Sequence, residues 1–305
     1  MTRPLVAGLI TGMHVRELRI DVTAAAGAST PLANAATAYL PEHPPSLVVV
    51  AYPGGGYSRR YFDLPEPGYS QAHHHVARGV ALVACDHLGV GDSDLPAEPV
   101  SWEGIAAAGH ATALGAVAEL GLEGVPAVGI GQSYGGLLLT IQQAEHGTFG
   151  AVAVLGWSGL HTVLPEAPPD YRGPYAPFYG FHFDDVPAAL VEADLDGYPT
   201  RPPGKVPPWG ASTMPGGPAA VGHHPDPLGP GAVAHHAARI DVPIFIGNGE
   251  RDVCPDPWRE PVAYRASNDV TVFTVPRMAH MHNFASTRSL LWDRVLGWAA
   301  CVTGT

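Results

Sequence analysis

Residues 125–139 read Val-Pro-Ala-Val-Gly-Ile-Gly-Gln-Ser-Tyr-Gly-Gly-Leu-Leu-Leu, with Ser133 between Gly131 and Gly135. An apolar run precedes the serine and a helix-like run follows it. The pattern predicts a buried strand, a sharp turn and a helix, with the serine at the turn. The glycines have a steric reason, since a strained turn resists a Cβ and the helix must pass close to neighbouring strands. The helix N-terminus beneath the serine favours developing negative charge. A free serine hydroxyl is a weak nucleophile and needs a base, usually histidine. The histidine in turn needs a carboxylate that fixes its tautomer and stabilises its charged form. Asp252, in Asn-Gly-Glu-Arg-Asp-Val-Cys-Pro, and His280, in Pro-Arg-Met-Ala-His-Met-His, supply both types later in the chain. Asp256 is a rival acid that lies between two prolines, and His282 is a rival base. The chemistry of such a set is attack on a carbonyl carbon.

These residues need elements to position them. Residues 47–51, 80–84, 125–130, 151–155, 242–247 and 270–275 are short apolar runs, as in strands covered on both faces. Residues 67–78, 102–120 and 290–300 read as helices between or after them, with Ser101 as an N-cap. Residues 17–23 and 36–40 read as edge strands of a hairpin. Alternating strands and helices predict an α/β fold: a mostly parallel sheet with helices on both faces. In such sheets ligands bind beyond the carboxyl ends of the strands. Ser133, Asp252, His280 and the Pro53-Gly54-Gly55-Gly56-Tyr57 loop each follow a predicted strand end. Consecutive glycines leave backbone N–H groups free to face a ligand, as an oxyanion hole requires.

Between residues 161 and 235 the pattern changes. Half of the 32 prolines fall there, with many aromatics, and strand-like alternation disappears. Proline opposes helix interiors and central strands, so little regular structure is expected. The reading is a core of residues 1–156 and 239–305, with a Pro- and aromatic-rich cap inserted at 157–238.

With serine, acid and histidine in that order, the chain resembles the α/β-hydrolase superfamily. The resemblance covers residues 18–156 and 239–300. It implies Ser133 as nucleophile, Asp252 as acid and His280 as base, the histidine following a small residue, Ala279. Residues 86–93, Asp-His-Leu-Gly-Val-Gly-Asp-Ser, resemble a turn of that superfamily. The glycine loop resembles its Gly-Gly-Gly oxyanion loop, although Pro53 stands where histidine is usual. By that match the oxyanion donors are the amides of Gly55, Gly56 and Tyr134. Tyr57, Trp157 and His282 are expected to touch substrate. The implied activity is cleavage of a carboxylic ester of a small to medium, partly apolar substrate through an acyl-enzyme. Thioester, lactone, amide or C–C bond hydrolysis, and acyl transfer, would use the same residues. A binding protein on the same fold would have no need of them.

Composition bounds the partners. A formal net charge of −12 argues against nucleic acid and anionic membranes. No apolar run approaches the length of a membrane span. The apolar start at residues 5–13 is followed by His14, Arg16, Glu17 and Arg19 where a secretory segment would continue, so a cytoplasmic protein is expected. Cys85, Cys254 and Cys301 are odd in number and widely spaced, which suits small buried hydrophobes. No metal and no cofactor are expected. The adjacent His73, His74 and His75 point in different directions on a helix and read as solvated or cap-facing. His87, His161, His182, His223 and His224 read as ordinary surface histidines or, failing that, as residues of the pocket rim. A small molecule is the expected partner, and an apolar cap would equally serve a homodimer interface.

Overall fold

A computed structural model describes residues 12–173, 178–198, 201–202, 204–216 and 226–305. The expectations for residues 5–11, Tyr175, Pro203, His223 and His224 lie outside the described residues. The apolar runs form β3 (Leu47–Tyr52), β4 (Val80–Cys85), β5 (Ala127–Gln132), β6 (Ala151–Leu155), β7 (Ile244–Arg251) and β8 (Val270–Ala279). They follow β1 (Met13–Asp21) and β2 (Ala33–Pro41), which pair antiparallel as the expected hairpin. The sheet order is β1-β2-β4-β3-β5-β6-β7-β8, parallel from β4 onward. The helices are α1 (Gln71–Val76), α2 (Trp102–Glu119), α3 (Tyr134–His146), α4 (Ala188–Leu195), α5 (Ala234–Ala237) and α6 (Arg288–Thr303).

Alternation within β3 divides the core. Val49 and Ala51 face one layer, with Val76, Leu291 and Val295. Val48 and Val50 face the other, with Ala113, Ala116 and Leu139. Period-two side chains explain why one continuous apolar run serves two layers. Chain order reverses between β3 and β5, since β3 leads to β4 on one side and β5 lies on the other. A crevice opens at such a switch point, beyond the strand ends. There Tyr52 pairs with Gly131, which brings the loop after β3 over the turn after β5.

Several elements differ from expectation. The first helix is only six residues long, because Ser70 caps it by accepting from the His73 amide. His75 is fully buried, not solvated, and burial lowers its pKa to about 3. His74 meets Asp293 at 3.0 Å. β8 continues through Pro276 to Ala279, which proline tolerates because β8 is an edge strand. Among its described residues, the segment 157–238 carries the two-turn α4 and the single-turn α5 amid irregular chain. Its Val186, Leu190, Val191 and Trp209 pack in one cluster with Tyr57, Tyr61 and Phe284. Among the described residues, no helix is long and apolar enough to cross a membrane.

Candidate active site

Ser133 lies at the start of α3 with φ +54° and ψ −121°, a conformation L-residues avoid. The surrounding glycines make this turn possible. A β-carbon at Gly131 would overlap the backbone of Gly135, and one at Gly135 would overlap the Tyr52 and Pro53 carbonyls. The elbow glycines are therefore set by close approach of backbone to backbone.

The three strand ends converge. The Ser133 hydroxyl donates to His280 Nε2 at 2.8 Å. His280 Nδ1–H donates to Asp252 Oδ1 at 2.7 Å. His280 sits one residue past β8, and Asp252 one residue past β7. A register shift between Gly249 and Arg251 turns the end of β7 and aims the acid. Asp252 also accepts from the amides of Gly249 at 2.7 Å and Val253 at 2.8 Å. Burial alone would raise its pKa. The nearby His282 and His280 outweigh that and hold the carboxyl far below the usual carboxylate range. Asp256 is exposed and heads a 3₁₀ turn at Pro257–Val262, away from His280.

His282 is 1% exposed and donates Nε2–H to Asp252 Oδ2 at 2.6 Å. It therefore faces the acid, where a substrate contact had been expected. Tyr57 is also fully buried, its hydroxyl donating to Asp194 at 2.9 Å, so it ties the glycine loop to α4. Trp157 is buried beside Leu137, Leu138 and Trp102, with its indole N–H unpartnered among the described residues. Tyr134 is half-buried and accepts from Trp102 Nε1 at 2.7 Å.

The glycine loop approaches Ser133 through Gly54. An ideal β-carbon at Gly54 would stand 3.1 Å from Ser133 Cβ, and one at Gly55 would stand 3.7 Å from Tyr134 Cβ. Gly56, with φ +79°, turns instead toward the ring of Tyr198. A single residue separates Gly54 from the Tyr52–Gly131 pair, so it joins the expected Gly55 and Gly56 among the glycines near the serine. Among the described residues, the amides of Gly54, Gly55, Gly56 and Tyr134 have no protein acceptor. The carbonyls between them are held. His87 Nε2–H donates to Pro53 O at 2.9 Å, the Tyr57 amide to Gly54 O at 3.2 Å, and Tyr198 hydroxyl to Gly55 O at 3.3 Å. In a trans peptide the N–H points opposite to its carbonyl, so each bond aims the next amide.

Sequence reasoning missed several of these groups. His87 is 4% exposed, not at the surface, and burial lowers its pKa to about 4. His182 is likewise buried and donates to Asp194 at 2.9 Å. His161 is exposed, as expected. Gln132 Nε2 donates to the His280 carbonyl at 2.9 Å and fixes the base loop to β5. The amides of His280 and Met281 donate to Gly180 and Phe181 of the insertion. Phe181, Tyr198 and Met214 thus stand around His280, Gly56 and Gly55. Among the described residues, no cluster of three His, Cys, Asp or Glu could hold a metal ion.

Solved structures share this architecture across nearly the whole chain. A proline iminopeptidase from Mycobacterium smegmatis is similar at 16% identity and TM-score 0.63, covering 94% of this chain and 98% of its own. An esterase from Thermogutta terrifontis is similar at 15% identity and TM-score 0.59, covering 94% and 99%. The chain has the α/β-hydrolase fold. A haloalkane dehalogenase variant from Bradyrhizobium elkanii shares that fold at 14% identity and TM-score 0.60, covering 96% and 98%. No protein-family model and no curated protein sequence matches the chain. A fold that carries a peptidase, an esterase and a dehalogenase does not choose among them, so function must be argued from the site.

Proposed function

We propose that this α/β-hydrolase-fold protein is a serine hydrolase that cleaves a carboxylic ester of a small to medium, partly apolar substrate. The observation that carries the reading is the hydrogen-bonded line from Ser133 Oγ through His280 to Asp252, at 2.8 and 2.7 Å. Those are the distances at which a base can take a hydroxyl proton.

Ser133 Oγ attacks the ester carbonyl as its proton passes to His280 Nε2, and the C=O π pair moves onto oxygen. The amides of Tyr134 and of the Gly54–Gly55 stretch stabilise that oxyanion. Such fixed donors supply much of the rate enhancement because they need no reorganisation during the reaction. Collapse breaks the C–O bond to the alcohol, which leaves with the proton from His280. Water then loses a proton to His280 and attacks the acyl carbon. Ser133 departs and recovers its proton. Asp252 holds His280 in the Nδ1–H tautomer throughout and remains a carboxylate. Phe181, Tyr198 and Met214 supply the apolar wall around the acyl or alcohol group.

An organophosphonate probe tests the reading by intact mass, beside turnover of short and aromatic p-nitrophenyl esters. Wild type gains one phosphonyl adduct and turns over esters, while Ser133→Ala does neither. A folded wild type that takes no label would end the serine-hydrolase reading. Labelling with thioester, lactone or amide turnover exceeding ester turnover would move the substrate class within it.

A further inference from the structure

Asp252 serves two histidines. One carboxylate oxygen accepts from His280 and the other from His282, at 2.7 and 2.6 Å. The base needs only the first contact, and the backbone amides of Gly249 and Val253 already hold the carboxylate in place. His282 is buried, and its other ring nitrogen, Nδ1, has no partner among the described residues.

Resting on the serine-hydrolase reading, we propose that His282 is a positioning residue that limits how strongly Asp252 draws on His280. An ionised carboxylate only accepts hydrogen bonds, so His282 presents Nε2–H and keeps its lone pair on Nδ1. Its N–H stabilises the carboxylate's charge and makes the other oxygen a weaker acceptor. His280 is then less readily trapped as an imidazolium and stays available as a base toward lower pH. Of the groups that hold the Asp252 carboxyl low, His282 has the largest influence. The other groups facing the pair are Tyr61 from the 3₁₀ turn after β3, Cys254 beyond the acid, and His280 itself, whose ring centre is 6.4 Å from that of His282. Neither Tyr61 nor Cys254 bonds to the Asp252 carboxylate.

The test compares His282→Phe with His282→Gln by ester turnover across pH, with circular dichroism as a check on folding. Glutamine can return an N–H at the place of Nε2 and cannot titrate. In His282→Phe the acid limb of the kcat/KM profile should move up by about half a pH unit, while the rate well above the limb is kept. His282→Gln should restore the limb. A folded phenylalanine variant with the wild-type limb would overturn the proposal, as would a folded glutamine variant whose limb matches that of phenylalanine. Ester turnover retained in His280→Ala but abolished in His282→Phe would also overturn it, by making His282 the base. Phosphonate labelling of wild type separates the two readings. If it fails, the serine hydrolase falls; if it succeeds while both His282 variants behave as wild type, only this inference falls.

Discussion

Arg201 Nη1 donates to the carbonyl of Gly56 at 2.9 Å, so a fully buried cation from the insertion holds the glycine loop of the core. The guanidinium also bonds Asp194 and lies 5.2 Å over Tyr57 and 5.1 Å over Tyr198. Asp194 in turn accepts from Tyr57, His182 and Trp209, each at 2.9 Å. This network fixes the glycine loop that passes beside Ser133. Arg201→Met keeps much of the stem and removes the charge, leaving Asp194 buried without its cation. Breaking one partner of a buried pair costs about 3–5 kcal/mol. Urea unfolding should show a loss of that size, and ester turnover should fall further than the folded fraction does. Unchanged stability would mean that the pair carries no net weight.

Gly156 follows β6 with φ +57°, and an added β-carbon would stand 3.1 Å from His280 Nδ1 and 3.3 Å from Asp252 Oδ1. Gly156→Ala therefore meets both backbone strain and the contact that orients the base. The strain alone costs about 1–2 kcal/mol. The expected outcome is a modest drop in melting temperature with a larger drop in kcat, because the side chain presses on the His280–Asp252 bond. A kcat that follows only the folded fraction would remove the steric argument.

Asp252→Asn keeps the size of the acid but not its acceptors. The carboxylate receives four donors: His280, His282 and the amides of Gly249 and Val253. A carboxamide has one oxygen for them and turns two donors of its own toward the rest. Loss of the correct histidine tautomer costs about 10⁴ in kcat where the same constellation has been dissected. A fall of about that order in p-nitrophenyl ester turnover, with phosphonate labelling slowed in parallel, is the expected result. Turnover near wild type would exclude Asp252 as the group that orients His280.

The convergence of Ser133, Asp252 and His280 was legible because each follows an apolar run that could hardly be anything but a strand. Chain order then aligned the three ends. The choice between Asp252 and Asp256 followed from distance to the strand end, and β7 running on to Arg251 brings the acid closer still. Gly54 was not separable from Gly55 and Gly56, because three identical residues carry no pattern. Only the Tyr52–Gly131 register distinguishes them. His75, His87 and His182 were misplaced for a related reason. A histidine looks the same in sequence whether it is buried or exposed, and here packing from distant elements decides. The Asp194–Arg201 pair was invisible too, lying where neither helical nor strand periodicity persists.

The buried neutral histidines predict an acid-labile fold. Burial lowers the pKa of His75 to about 3 and that of His87 to about 4, in the second case against its bond to Pro53 O. Both lie below the ordinary histidine value of about 6.5. As pH falls below that value, the unfolded chain takes up protons that the folded chain refuses. Their stabilisation is thus complete above about pH 6.5 and is lost progressively down to pH 4 for His87 and pH 3 for His75. Between pH 6.5 and 4.5 the two together should cost on the order of 4 kcal/mol, about half from each. His75→Leu removes one titrating group and keeps an apolar side chain at a site whose only side-chain hydrogen bond among the described residues is to Gln71 Nε2 at 3.5 Å. Urea unfolding at pH 7 and 4.5 should show a drop for wild type and a drop smaller by about 2 kcal/mol for His75→Leu. Equal drops would mean that His75 takes up its proton in the folded state.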